Sequence, residues 1–168
     1  AVIKFGINQT WGMIPGDADR DAFEKYIATC HKERLMSVAL TAPHHGSRNF
    51  FRDDEKDEPY LEALNIIDPQ YVVILAPKQE ESRHDHPHED AVKIYADKVG
   101  DENVFHTGQN RHCYIFDIFQ DGTSSKVQDD QGEIAKSYPI DDGDNDDKKG
   151  GSYTKRDKLT GISGNRYA

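Results

Sequence analysis

Short apolar runs alternate with helix-period segments along the first 120 or so residues of the chain. Residues 2–7 (Val-Ile-Lys-Phe-Gly-Ile) predict a strand, Asn8-Gln9-Thr10 a turn, and residues 11–14 a second strand. Phe23, Tyr26, Ile27 and Cys30 recur at helical spacing and predict a helix beyond Asp17. Asp19 or Asp21 can cap it, and the acidic first turn complements the helix dipole. Residues 37–41 predict the strand that delivers Pro43-His44-His45-Gly46-Ser47. Phe50-Phe51 and the charged run 52–58 read as a loop. Pro59 suits a first helical position; Tyr60, Leu61, Leu64 and Ile67 form an apolar face, and Asp68-Pro69 ends the helix. Residues 71–75 (Tyr-Val-Val-Ile-Leu) are a continuous apolar run, as in a strand buried on both faces. After the polar loop 78–85, Pro87 opens another helix with Val92, Tyr95, Ala96 and Val99 on one face and Gly100 as its stop. Residues 104–105 and 114–119 predict the closing strands. The alternation predicts an α/β layered sheet.

The pattern changes after Gly122. Residues 123–168 carry few apolar side chains and hold the cluster Asp141-Asp142-Gly143-Asp144-Asn145-Asp146-Asp147, followed by Lys148-Lys149. Such a segment buries too little apolar surface to offset its ordering entropy, so it reads as a polar, acidic tail to the domain 1–122. The acidic cluster resembles a calcium loop, but Thr154 or Lys155 falls where the closing acidic ligand belongs. A solvated charge run is the better reading.

Composition narrows the partners. The 168 residues suffice for one domain with a sizeable core. A net charge of −10 argues against general nucleic-acid binding, which needs Lys and Arg on phosphates. It leaves room for a nuclease whose metals supply the positive charge. The two cysteines, Cys30 and Cys113, have no close spacing, so neither a disulfide framework nor a cysteine zinc site is implied. That suits a reducing compartment and a cytoplasmic location. No apolar stretch approaches the roughly 18 residues of a membrane span. The chain starts at Ala1 inside an apolar run, which reads as a natural N-terminus lying out of view.

Three constellations carry candidate chemistry. Gly16-Asp17 and His44-His45 each follow a predicted strand, so a carboxylate and two imidazoles gather at carboxyl ends of neighbouring strands, where α/β sheets build sites. His84-Asp85-His86-Pro87-His88 places three of the eight histidines at the start of a helix. Backbone N–H groups and the dipole there favour an anion, and an imidazolium would add to that. The bland alternative is a surface loop with capping histidines. Ser47 can donate to a phosphate or cap its own loop. Asp19 reads as a cap, His31 as a surface residue, His106 and His112 as structural, and Cys30 as core.

Gly16-Asp17, His44-His45-Gly46-Ser47, His86-Pro87-His88 and Phe105-His106-Thr107 leading into Tyr114-Ile115 together resemble the C-terminal half of the metallo-β-lactamase fold. The closest likeness is to the ComEC-like competence-protein type, the metallohydrolase domain of DNA-uptake proteins and its soluble relatives. The resemblance covers about the first 120 residues and none of the tail. It implies half of an αββα sandwich, a mixed sheet flanked by helices. It also implies Asp17 as a bridging metal ligand and His45 as a terminal one, with His44 as the other candidate of the pair. His44, His86 and His88 would then be catalytic and face a phosphate, with Ser47 and His84 binding substrate. The cofactor implied is a pair of zinc ions, or manganese, and the activity a phosphodiesterase or nuclease. The superfamily's main motif, His-x-His-x-Asp-His, is absent from this chain, as is the histidine that normally precedes Gly-Asp. Catalytic sites need about three protein ligands per metal. The chain is therefore expected to be inactive alone and to need the missing N-terminal half or a complementary chain as partner. The rival expectation is a non-catalytic partner-binding module that keeps the fold without the metals.

Overall fold

A computed structural model describes residues 1–110, 114–119, 121 and 123–128. All belong to the first of two units into which the chain divides, Ala1–Tyr138; the second, Pro139–Ala168, lies outside the described residues. Asn8 and Gln9 turn strand β1 (Ile3–Ile7) back onto β2 (Thr10–Ile14), with Ile3 opposite Ile14 and Ile7 opposite Thr10. Asn8 takes the left-handed φ of 53° that the tight turn requires, a conformation Asn tolerates better than most residues. From β2 the sheet continues in parallel through β3 (Ala39–Thr41), β4 (Tyr71–Ile74) and β5 (Val104–His106), in the order β1-β2-β3-β4-β5. The fold is α/β with a mixed sheet and helices, in line with the alternation in the sequence.

Register sorts the side chains. Met13, Leu40 and Val72 lie side by side across the sheet, with Ile74 two residues further along the same face. These residues form one core with Phe23 and Ala28, Phe50 and Phe51, Leu64 and Ile67, and Ala91 and Tyr95. Every crossover therefore packs on this face, as sequential parallel strands with right-handed connections require. The opposite face carries Phe5, Gly12, Ala39 and Tyr71 in one row and Thr41, Val73 and Phe105 in the next. A two-stranded ribbon, β6 (Tyr114–Ile118) paired with β7 (Ser124–Gln128), covers part of it. The Phe116 ring stands 5.5 Å from Tyr71, and Tyr114 stands 4.8 Å from Phe105. At the other end Ile3, Phe5 and Ile14 remain 56, 49 and 38 % exposed.

Several expectations change in detail. Beyond α1 (Arg20–Ala22) the chain makes a π-helical turn, Phe23–Ile27, before α2 (Ala28–His31). The Ala28 N–H bonds to the Phe23 carbonyl, so the wider turn brings Ala28 under Phe23. Tyr26 and Cys30, read as core at normal helical spacing, are exposed instead. The third helix, α3 (Glu62–Ile67), starts later than Pro59, which leaves Leu61 40 % exposed. The helix α4 (Glu89–Val99) begins after Pro87, with His88 at its N-cap and Gly100 at its C-cap with φ 86°. The run 71–75 is a strand only to Ile74, and Leu75 turns outward. Residues 114–118 pair with β7 rather than joining the main sheet. The strand β7 falls in the stretch read as tail. The acidic cluster 141–147, the Lys pair 148–149, Cys113 and His112 lie outside the described residues.

Candidate metal and phosphate site

Three loops leave the carboxyl ends of β2, β3 and β4 and meet. The first carries Gly16-Asp17, the second His44-His45-Gly46, and the third runs from Leu75 to His88. Main-chain bonds tie them: the His44 N–H donates to the Gly16 carbonyl at 2.8 Å, and the His88 N–H donates to the Gly46 carbonyl at 3.1 Å. Gly46 lies so close to the third loop that a Cβ there would stand 2.8 Å from Pro87 Cβ. With φ of 81° it also needs glycine's freedom. His44 and His45 take left-handed φ of 48° and 58° without that freedom. Two adjacent strained residues cost on the order of 1 kcal/mol or more each, and such strain clusters at sites of function.

The strain aims His45. Its Nδ1 lies 2.7 Å from the Leu75 carbonyl oxygen. A carbonyl only accepts, so Nδ1 carries the hydrogen and the lone pair of the neutral ring sits on Nε2. Nε2 is 3.9 Å from Asp17 Oδ1, both side chains being largely exposed. In the neutral form of the ring, two acceptor atoms face each other with no hydrogen between them. Bonds of about 2.0–2.2 Å from each would let one cation touch both atoms, so the donor pair fits a metal. A backbone carbonyl holding the remote nitrogen is how metal-binding histidines are oriented. Two ligands do not make a catalytic centre, however. Among the described residues no group of three or more His, Cys, Asp or Glu stands close enough to hold an ion.

The other histidines form a wall beside this pair. Ring centroids lie 5.1 Å apart for His44 and His86, 5.0 Å for His86 and His88, and 6.1 Å for His84 and His86. Burial, then the neighbouring His88, His44, His84 and His45, pushes the His86 pKa down to about 4. Burial and the Arg48 charge also lower that of His88. The imidazolium envisaged from the sequence is therefore a neutral ring at pH 7 for both residues, able to donate from one nitrogen and accept at the other. His44 Nδ1 is buried without a hydrogen-bond partner among the described residues. His84 is exposed at the rim. Its N–H and that of His86 both reach Ser82 Oγ, at 3.3 and 3.1 Å, which curls the loop. Ser47 is fully buried, and its Oγ accepts from the Asn49 N–H at 3.3 Å, the capping half of the two roles open to it. Asp19 Oδ1 caps α1 by accepting the Ala22 N–H at 2.9 Å. His31 is exposed, and His106 Nε2 sits 3.1 Å from the Pro77 carbonyl oxygen.

Sequence reasoning missed a charged clamp behind the wall. Asp90, in the first turn of α4, lies 3.2 Å from Arg48 Nη2, and its Oδ2 accepts from Arg52 Nε and Nη2 at 3.1 and 2.7 Å. Burial opposes its charge, but the Arg52 hydrogen bonds and the Arg48 charge outweigh that and hold the carboxyl below its usual range. The signal was present as two arginines four apart directly after the paired histidines and an aspartate two residues after His88.

No protein-family model matches the chain, and neither a curated protein nor a solved structure matches it.

Proposed function

We propose that this chain is the C-terminal half of a metal-dependent phosphodiesterase or nuclease of metallo-β-lactamase type, completed by a second segment that brings further metal ligands. The observation that carries the proposal is the His45 arrangement: an imidazole locked by the Leu75 carbonyl so that its free nitrogen faces the Asp17 carboxylate at 3.9 Å. Asp17 can offer one oxygen to each of two ions, which a neutral imidazole cannot. Zinc or manganese bound there would supply a hydroxide nucleophile near neutral pH and clamp the phosphoryl oxygens. His44, His86 and His88 line the approach, and the neutral rings of His86 and His88 can donate N–H groups to a phosphoryl oxygen. Neutral donors suit a chain of net charge −10, because they bind an anion without needing a cation already present. A phosphate placed among these rings raises the proton affinity of each, so His86 gains a proton-holding role once substrate is bound.

The partially covered sheet face supports the completing segment. Ile3, Phe5 and Ile14 form an exposed apolar strip at the end of the face away from the aromatic ribbon. Proteins bury such strips against a further layer. A second reading, a binding module without catalysis, is favoured by the lack of a third ligand among the described residues.

The test measures bound metal and hydrolysis of bis(p-nitrophenyl) phosphate, for the chain alone and for the protein that includes an upstream or partner His-x-His-x-Asp-His segment. The chain alone should hold little metal and show negligible hydrolysis. In the complete protein Asp17→Ala and His45→Ala should lose metal and activity together, and His44→Ala should lose activity with metal retained. Two metals held stoichiometrically by the isolated chain would sink the completing-segment proposal. A complete protein that binds no metal would leave the binding module.

A further inference from the structure

The clamp around Asp90 lies outside the groups so far given a role, and its contacts lead to a ring in the wall. The Arg48 backbone N–H donates to His88 Nδ1 at 3.2 Å. An N–H only donates, so His88 Nδ1 is the acceptor and the ring hydrogen of the neutral form sits on Nε2. That assignment depends on where the Arg48 peptide lies, in the 3₁₀ turn Arg48–Phe50 that follows the paired histidines. Arg48 Nη2 makes an ion-pair contact of 3.2 Å with Asp90 Oδ1, an oxygen that accepts no hydrogen bond among the described residues. Arg52 holds the other oxygen at 2.7 Å and sends Nη1 to the Asp57 carbonyl at 3.0 Å. The Arg52 and Asp90 side chains are only 14 and 13 % exposed, so solvent screens the pair little. The Asp90 carboxylate thus bridges the loop after β3 to the first turn of α4, two residues from His88.

We propose that Asp90, hydrogen-bonded by Arg52 and paired in charge with Arg48, is a positioning residue that fixes the Arg48 N–H against His88 Nδ1 and so presents His88 as an Nε2–H donor to the substrate's phosphoryl oxygen. The proposal rests on the reading of His88 as substrate-facing, but the tautomer exists without substrate or metal and can be measured by itself. Sequence spacing makes the arrangement economical. Arg48 and Arg52 share one face across a turn, and Asp90 follows His88 closely enough that moving the carboxylate moves the ring.

Two-bond ¹⁵N–¹H correlation spectra of the labelled 168-residue chain at pH 7.5 read the tautomer of each histidine directly. His88 should be predominantly Nε2–H in the wild type, and the ratio of tautomers should fall several-fold in Asp90→Asn and in Arg52→Gln. His45 should stay Nδ1–H in both variants, since its partner is the Leu75 carbonyl. Asp68→Asn is the control for general loosening of α4, because it removes the carboxylate charge that Lys98 pairs with at 2.7 Å at the far end of the same helix. A wild-type His88 carrying its hydrogen on Nδ1 overturns the proposal. So does an unchanged ratio in a folded Asp90→Asn or Arg52→Gln chain, or an equal shift in Asp68→Asn. If neither clamp variant folds, the wild-type tautomer decides alone. Phosphodiesterase activity does not enter the readout, so a failed tautomer and a failed hydrolase proposal remain distinguishable.

Discussion

The two faces of the main sheet are built from similar residues and end up differently. On one, Met13, Leu40, Val72 and Ile74 are sealed under the helices, none more than 1 % exposed. On the other, Tyr71 and Phe105 meet the aromatic rings of the β6–β7 ribbon, while Ile3, Phe5 and Ile14 meet solvent. The site divides along the same line. The His44 and His88 backbones are tied to the neighbouring loops by main-chain bonds, the His88 ring also takes the Arg48 N–H beside the Asp90 clamp, and His86 is held within its own loop by Ser82 Oγ. Asp17 and His45 stand exposed, with one hydrogen bond holding the imidazole. The proposed completing segment would add its ligands on this open side, at Asp17 and His45.

The sharpest test of the contrast is a core truncation. Leu40→Ala removes a fully buried side chain from the middle of the sealed face. It should cost about 2–5 kcal/mol in urea denaturation, the range for buried leucines that leave a cavity. A cost below that range would mean the sealed face relaxes easily and is less finished than its burial suggests.

Acid should act on the wall next. His86 titrates near 4 when folded and near 6.5 when unfolded. The unfolded chain therefore takes up the proton first, and stability falls as pH drops through the window from about 6.5 to about 4. The contribution is on the order of 1–2 kcal/mol after discounting for solvent screening of a part-exposed ring. His86→Gln should flatten the stability profile in that window. A profile unchanged by the substitution would show that the rings are solvated and that the wall is not packed.

Legibility followed periodicity. The hairpin, the parallel strands and α4 were readable because alternation and the Gly100 stop are local signals. Tyr26 and Cys30 were misread because one π-helical hydrogen bond, from the Ala28 N–H to the Phe23 carbonyl, shifts the buried stripe without changing composition. The meeting of Asp17 with His45 was readable because both follow strands that turn out to be neighbours. The Asp90 clamp was not, since it depends on long-range pairing over about forty residues. The charge state of His86 was missed because burial is its largest cause, and the sequence alone does not show how deeply the ring and its neighbouring histidines pack.

Backbone strain gives a smaller, two-signed effect. His45→Gly would relieve a left-handed residue at φ 58° but lose the Leu75 hydrogen bond. Relief of about 1–2 kcal/mol against a bond of about 0.5–1.5 and glycine's extra entropy of about 0.5–1 leaves stability within about 1.5 kcal/mol of wild type. Metal binding in the complete protein should nevertheless vanish. Thermal unfolding with elemental analysis separates the two. A large loss of stability would show that His45 holds up the loop and is not kept there for its free nitrogen.

The smallest stability change is expected on the open face, and it carries the most about partners. Phe5 is 49 % exposed, with its ring laid over Gly12 of the neighbouring strand. Phe5→Ser therefore removes little buried area and should cost less than about 1 kcal/mol, within the span of strand preferences at exposed positions. The same change breaks the apolar strip that Ile3 and Ile14 continue. It should weaken assembly with the completing segment by a measurable factor, read as reduced co-purification and a slower rise of metal content on mixing. In the isolated chain it should lower any concentration-dependent light scattering, because the strip gathers three exposed large apolar side chains on one sheet face. A cost as large as that of Leu40→Ala would show that Phe5 is already buried against something, and the contrast between the faces would fail. Unchanged assembly together with unchanged stability would place the partner's contact elsewhere and leave the strip without a role.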